Sequence, residues 1–409
     1  MMRTRIERLA IPAALDAEGG DDFAQSAAVG NAVEHHLWGH DDFATDVEDR
    51  ILMAQPTPER EYVLGVARAE GRIVGNARIS IPLRDNLQAA YVQLEVLPGK
   101  RRQGIASALL AFAEQQLTLR GRTTIMSWSD ARMGVDGDAD ADAGVAVVER
   151  LVPPTGAGWY PAADPAARLA VGRGFDLVQV DRQSVLHLAE VRSDRGRHIL
   201  LRQEAEARAR GSEGYGLVRW VDRCPEDRVE DYALLRRRMS TDPPLGGFVQ
   251  QEELWDAGRI RREEERSLAA GTSTLVEAVL HRESGRLVGH TILERFDSRP
   301  AVVYQEDTLV LDEHRGHRLG MWLKASNLRR AADSWTDAER IYTWNAEENS
   351  FMLEVNVALG FRPSGRTAGW QRVLTLADLV AAVRSRTLEG PKTVGRSSSA
   401  SLLCFGTSG

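Results

Sequence analysis

Two short stretches of the 409-residue chain have the composition of an anion-binding turn. The first runs Val96-Leu97-Pro98-Gly99-Lys100-Arg101-Arg102-Gln103-Gly104-Ile105-Ala106-Ser107. The second runs Leu309-Val310-Leu311-Asp312-Glu313-His314-Arg315-Gly316-His317-Arg318-Leu319-Gly320-Met321. Each reads as the end of a strand, a basic turn containing glycine, and the start of a helix. Backbone N–H groups from Arg101 to Ala106, and from Arg315 to Gly320, can therefore converge at the positive end of that helix, where a phosphate binds well. The two stretches lie 214 residues apart, and Gly71-Arg72-Ile73-Val74-Gly75 recurs at the same offset as Gly285-Arg286-Leu287-Val288-Gly289. Two landmarks in one register mark a duplication, with one turn in each half.

The length allows two to three domains, and the repeat selects two. A hydrophobic content of 43% lets each half bury a core. A formal net charge of −7 excludes a general nucleic-acid binder, which needs a basic face. Cys224 and Cys404 are the only cysteines, so there is no disulfide framework and no zinc spacing. No signal peptide precedes the first strand, and no run approaches the ~20 apolar residues of a membrane span. The expectation is a cytoplasmic protein, monomer or homodimer, with no nucleic-acid or membrane partner.

Residues 5–12 read as a strand, followed by one or two short helices up to residue 50. Tyr62–Ala69 and Arg72–Ile81 form a hairpin across Glu70-Gly71. Tyr91–Leu97 is the next strand, Ser107–Leu119 a helix with an apolar stripe, and Thr123–Trp128 a further strand. From Trp128 to Gly174 the first half carries about 30 residues that the span Trp344 to Gly360 lacks. Its acidic stretch matches EF-hand ligand positions at Asp138, Asp140, Asp142 and Glu149 but has Ala143 where the sharp turn needs glycine. His36 and His40 have helical i,i+4 spacing with no third ligand, so no metal site is expected. The division is an N-terminal domain over residues 1–189 with an insertion at 129–160, a charged linker at 190–213, a C-terminal domain over 214–386 and a disordered tail at 387–409. A proline- and glycine-rich loop, Ser240–Gly247, and helices over Asp231–Met239 and Leu254–Ala270 distinguish the second half. A final helix is expected over Leu376–Arg384.

Each half thus orders as strand, helices, three-stranded meander, basic turn, helix, strand, helix, strands, a mixed α/β arrangement. With Arg101-x-x-Gly104-x-Ala106 after the fourth strand, this resembles the GNAT superfamily of N-acetyltransferases, in a tandem arrangement similar to that of mycothiol synthase. The second half matches at Arg315 and Gly320 but has Arg318 where the first glycine is expected. Thr343-Trp344-Asn345, Asn349 and Leu359-Gly360-Phe361 are similar to the family's fifth strand and following helix. The resemblance implies that acetyl-CoA is held by Leu309, Val310, Arg315, Gly316, His317, Arg318, Leu319, Gly320 and Met321, with Asn345, Asn349 and Met352 along the pantetheine arm. In the first half it implies Val96, Arg101, Arg102, Gln103, Gly104, Ile105, Ala106 and Ser107.

The reaction so implied is attack of a neutral amine on the thioester carbonyl, which needs a proton acceptor and a donor for the developing oxyanion. On a regular strand Thr308, Glu306 and Tyr304 share the face of Val310, while Asp307 and Gln305 face the other way. In the first half Leu94, Val92 and Ala90 are in phase with Val96 and cannot take a proton, and Glu95 is out of phase. The second half is therefore expected to catalyse, with Glu306 as base and Asp307 as fallback. Asn356 and Ala170 stand where many family members have a tyrosine acid, which leaves Tyr304 or Tyr342 as substitutes. The expected activity is acetyl transfer to a primary amine of a small molecule. A protein or peptide acceptor, or a catalytically silent acyl-CoA sensor, are the alternatives.

Overall fold

The computed structural model of the protein describes residues 4–133, 149–211 and 213–375. The acidic stretch at 136–142, the final helix at 376–384 and the tail lie outside these residues. The N-terminal half runs β1 (Arg5–Leu9), α1 (Gly20–Trp38), α2 (Val47–Ala54), β2 (Arg60–Ala69), β3 (Arg72–Pro82), β4 (Ala89–Val96), α3 (Ile105–Thr118), β5 (Thr124–Arg132), β6 (Arg150–Leu151), β7 (Tyr160–Pro161), α4 (Pro165–Gly172) and β8 (Asp176–His187). Helices α5 (Leu188–Arg192) and α6 (Asp194–Gly211) lead across. The C-terminal half follows as β9 (Tyr215–Val221), α7 (Val229–Met239), α8 (Ala257–Ala269), β10 (Thr272–His281), β11 (Arg286–Phe296), β12 (Val302–Val310), α9 (Leu319–Ser334), β13 (Arg340–Ala346), α10 (Ser350–Ala358) and β14 (Arg362–Val373).

Local chemistry accounts for most of these elements. Glu70 and Gly71 both have positive φ, at 52° and 79°, which is the two-residue hairpin geometry that the Glu-Gly pair favours. Helix α3 buries Ile105, Leu109, Leu110, Ala113 and Leu117 on one stripe and is followed by Gly121 at φ 66°. The region before β2 holds two helices, of which only α2 is short; α1 runs for 19 residues. Gly30 lets α1 close onto β4, because a Cβ there would come within 2.6 Å of the Arg50 guanidinium and 2.8 Å of the Glu95 carboxylate.

All the strands except β6 and β7 form one sheet, ordered β1-β2-β3-β4-β5-β14-β8-β13-β12-β11-β10-β9. The terminal strands of the two halves are exchanged. The last strand of the C-terminal half, β14, pairs antiparallel with β5, and the last strand of the N-terminal half, β8, pairs antiparallel with β13. The two exchanged strands pair with each other at the centre. Continuity of the sheet therefore makes each half depend on the other for the strand beside its fifth strand. The loop after α7 reinforces the seam: Gln179 donates to the Pro244 carbonyl at 2.9 Å, and Phe248 packs on Trp128 at a centroid distance of 5.4 Å.

In both halves the fourth and fifth strands are parallel and pair over only three residues before separating. The pairs run from Ala89↔Thr124 to Tyr91↔Met126 and from Val302↔Arg340 to Tyr304↔Tyr342. Beyond them each half opens a wedge whose mouth is the basic turn.

Candidate active site

The two turns share one backbone. A short 3₁₀ turn precedes each, and Arg101 and Arg315 are extended at φ −67° and −70°. Each donates its Nε–H back to its own strand, Arg101 to the Val96 carbonyl at 3.3 Å and Arg315 to that of Val310 at 3.1 Å. Two left-handed positions follow in both halves: Arg102 at φ 63° and Gly104 at 82°, against Gly316 at 86° and Arg318 at 57°. The glycine has moved from the second position to the first, so the missing glycine leaves the loop shape intact and places a strained Arg318 at the helix start.

The surroundings of the turns differ. In the N-terminal half a cavity of about 810 Å³ fills the wedge. Lys100, Arg101, Arg102, Gly104, Ile105, Ala106 and Ser107 line one end, joined by Arg168 of α4 and Arg173 just beyond it. Val92 to Val96 of β4 and Ser127 to Asp130 of β5 form its walls, and Val33, Glu34, His36 and Leu37 of α1 reach the far end. Trp370, from the exchanged strand β14, also lines it, and its indole donates to Ser129 Oγ at 2.9 Å. The positive end suits phosphates, and the far end collects carboxylates. Burial, with Asp130 and Glu95 nearby, pushes the Glu34 carboxyl up to about 7 despite a hydrogen bond from Trp38 Nε1 at 3.0 Å. Burial likewise raises Asp130, against a hydrogen bond from Thr367 of β14.

In the C-terminal half the corresponding positions carry larger or charged side chains. By the 214-residue offset Ser107 corresponds to Met321 and Leu110 to Lys324. Met321 is packed in the core with Leu319 and Met352. Lys324 is 1% exposed, its Nζ 5.5 Å from the ring centroid of Phe361, the counterpart of the cavity-lining Phe175. Arg318, a candidate phosphate ligand by sequence, is instead held by Gln203 at 3.0 Å and Glu206 at 3.3 Å of α6, and Arg315 pairs with Asp312. Asn349 caps α10 by accepting from the Met352 N–H at 3.3 Å, and Asn345 accepts from Asn356 at 2.6 Å. Arg318, Asn345 and Asn349 thus each have a protein partner, and Leu319, Met321 and Met352 pack in the core.

Burial pushes the Lys324 amine down to about 7. Its folded value lies below its unfolded one, so the unfolded chain binds the extra proton between about pH 7 and 10.5. The penalty is full below pH 7 and fades as pH rises toward 10.5. Lys324→Leu, which copies Leu110, is expected to stabilise the protein by on the order of 4 kcal/mol at pH 6. The gain should shrink steadily up to pH 10, as read by denaturant unfolding across that range. A gain independent of pH would assign the effect to packing alone.

The strand before the second turn departs from regular alternation. A β-bulge lies between Gln305, opposite Leu293, and Thr308, opposite Thr291. The extra residue shifts every face by one beyond it. Gln305 and Thr308 therefore share a face, their side chains meeting Thr291. Tyr304, Glu306 and Asp307 lie on the opposite face, so the expected sharing of a face by Thr308, Glu306 and Val310 is overturned. Asp307 pairs with Arg236 at 3.2 Å and lies 3.8 Å from the buried His290. Burial acts against its charge, but these two neighbours hold its carboxyl below the usual range. Glu306 is solvent-exposed, and local desolvation, with Glu294 and Asp307, pushes it up to about 8. Tyr304 donates to the Asp42 carbonyl at 3.3 Å and Tyr342 to the Asp42 carboxylate at 2.6 Å, so both phenols are engaged at the seam. Strand β4 pairs with β3 without a bulge, and Glu95 turns toward α1.

His35 is taken up by Asp41 at 2.7 Å, and His36 lines the large cavity. Among the described residues no three metal-binding side chains cluster. No described helix is long and apolar enough to cross a membrane.

Residues 31–134 match the sequence model of the Acetyltransferase (GNAT) family. No curated protein matches the chain. Among solved structures, a tandem GNAT protein from the clavulanic acid biosynthesis pathway, without AcCoA, is 25% identical with a TM-score of 0.65, over 91% of this chain and 98% of that one. The chain has the tandem GNAT arrangement. A GCN5-related N-acetyltransferase from Sphaerobacter thermophilus shares the fold at 12% identity and a TM-score of 0.53, covering 90% of this chain and 95% of its own. So does a glucosamine N-acetyltransferase region of a fungal multi-domain GH3 β-N-acetylglucosaminidase, at 13% identity and a TM-score of 0.54, over 90% of this chain and 38% of that one. Within this tandem GNAT chain the family match falls on the half that holds the open cavity. Sequence reasoning missed Lys100, Arg168, Arg173, Glu34, Asp130 and Trp370 there. Lys100 and Arg173 adjoin recognised motifs and could have been included by charge and position, whereas Trp370 is brought in by the strand exchange.

Proposed function

We propose that the protein is an acetyl-CoA-dependent N-acetyltransferase acting on a primary amine of a small molecule, and that transfer takes place in the N-terminal cleft. The observation that carries this reading is the single cavity running from the Arg101–Ser107 turn to Glu34. In it the pyrophosphate lies at the start of α3 among Lys100, Arg101 and Arg102. The pantetheine arm follows the gap between β4 and β5. The thioester carbonyl accepts from β4 backbone beyond Tyr91, where β5 has diverged and leaves donors for the developing oxyanion. Glu34 takes the ammonium proton, its raised carboxyl being matched to a reaction near neutrality. The free amine forms the C–N bond, the C–S bond breaks, and the proton the nitrogen then sheds passes through solvent in the open cleft to the departing thiolate. A catalytically silent sensor would have no use for a carboxylate tuned in this way.

A second reading places transfer in the C-terminal half through Glu306, favoured by the bulge in β12 and by the accessibility of that carboxyl. The overall activity is tested by incubating the protein with acetyl-CoA and a panel of primary amines. The expected result is free thiol released in step with an acetylated product of the right mass. Thiol release no faster than buffer hydrolysis for every amine would overturn the activity.

A further inference from the structure

A second cavity, of about 230 Å³, lies on the seam between the halves and shares Glu34 and Asp130 with the large cleft. The C-terminal half contributes Phe296, Arg299, Tyr304 and Trp344 to it. Arg299 is the telling residue. Its Nη1 donates to the Asp42 carbonyl at 3.1 Å and to the Tyr304 hydroxyl at 2.9 Å. Its guanidinium lies over the rings of Phe296 and Tyr304, at 5.0 and 5.7 Å. Its buried Nε–H has no hydrogen-bond partner, and among the described residues no carboxylate pairs with it. A guanidinium fixed on a cavity wall with no carboxylate partner is satisfied best by a planar anion from a ligand. The same cavity offers carboxylates from α1 and β5 to a cation, and aromatic faces to whatever joins the two.

We propose that the seam cavity is the acceptor site and that the acceptor is an amino carboxylate of amino-acid size with an apolar side chain. Its ammonium lies at Glu34 and Asp130, its carboxylate at Arg299, and its apolar part against Phe296 and Trp344. This rests on the reading that acetyl-CoA occupies the N-terminal cleft, because the shared carboxylates bring the amine to the thioester end. It also gives the C-terminal half a task other than transfer: it completes the acceptor site.

The test uses matched probe pairs that differ by the carboxylate alone, leucine with isoamylamine and phenylalanine with phenethylamine. Both are assayed with acetyl-CoA on the full chain and on Arg299→Gln and Arg299→Lys. In the parent protein kcat/KM should favour the amino acid in at least one pair by about 10- to 100-fold, mostly through KM, as loss of a charge-assisted contact predicts. Arg299→Gln should bring that ratio to within about threefold, with Arg299→Lys between them. Equal rates for both members of each pair in the parent, or an unchanged ratio in Arg299→Gln, would overturn the proposal. An acetyl-CoA titration of each protein separates the causes. Normal acetyl-CoA binding without carboxylate preference sinks the acceptor assignment alone, whereas absence of binding sinks the cleft reading with it.

Discussion

Calorimetric titration of the protein with acetyl-CoA is expected to give one site per chain, and reversing charge in the N-terminal turn is expected to remove it. Arg101→Glu combined with Arg102→Glu should weaken binding by at least about 100-fold, since charge-assisted hydrogen bonds contribute ~1.5–3 kcal/mol each and two carboxylates add repulsion. The duplication supplies an internal control. Arg315→Glu alters the matching position on the same turn backbone of the C-terminal half, where Met321 and Lys324 stand in place of Ser107 and Leu110, and should change affinity by less than about threefold. Two sites per chain would mean that the C-terminal half also binds. Loss of binding with Arg315→Glu alone would place acyl-CoA in the other half.

This contrast shows how far the residues could be read in advance. The hairpin at Glu70-Gly71, the order of strands and helices and the basic turns were legible because each depends on neighbours a few residues away. Which turn faces open space was not. Lys324 sits in a helix that is buried all round, and from the sequence an amphipathic surface lysine looks the same as a buried one. The bulge at Glu306 and Asp307 was equally hidden, because one extra residue in a strand has no compositional mark, yet it reverses the facing of residues on one side of it relative to those on the other. Glu34 escaped notice for a different reason. Its place depends on how closely α1 approaches β4, and that approach is set by Gly30 against Arg50 and Glu95, residues far apart in the chain.

The strand exchange was not legible either, and it bears on how the C-terminal half supports the N-terminal cavity. Strands β8 and β14 occupy matching places in the repeat, so either could have closed either half. As built, Trp370 and Thr367 of β14 touch Ser129 and Asp130 of the N-terminal cleft, while Asp42 of the N-terminal half ties Arg340 and Tyr342 of β13. Burial opposes the charge of Asp42, but hydrogen bonds from Arg340 and Tyr342 outweigh it and hold the carboxyl below its usual range. The charged pair and the shared sheet fix the seam against which the acceptor cavity is formed.

Glu34→Gln is expected to lower turnover by about 10²- to 10⁴-fold, the usual contribution of a general base, with acetyl-CoA affinity within about twofold of the parent. The amide keeps the shape and can still accept from Trp38 Nε1, so the change removes basicity and little else. The parent should show an acidic limb in kcat/KM near pH 7, because below that value the raised Glu34 carboxyl is protonated and cannot take the amine's proton. In Glu34→Gln that limb should vanish. Stability should move the opposite way. With a folded value of about 7 above an unfolded 4.5, the native state binds the extra proton between them, so the parent loses stability as pH rises through that window. Glu34→Gln carries no such charge and should gain melting temperature relative to the parent at pH 8 but not at pH 4. A variant that is more heat-stable yet far slower separates chemistry from misfolding. Glu306→Gln, assayed beside it, decides between the halves: if it abolishes turnover while Glu34→Gln does not, transfer belongs to the C-terminal half and the N-terminal cleft holds acyl-CoA without using it.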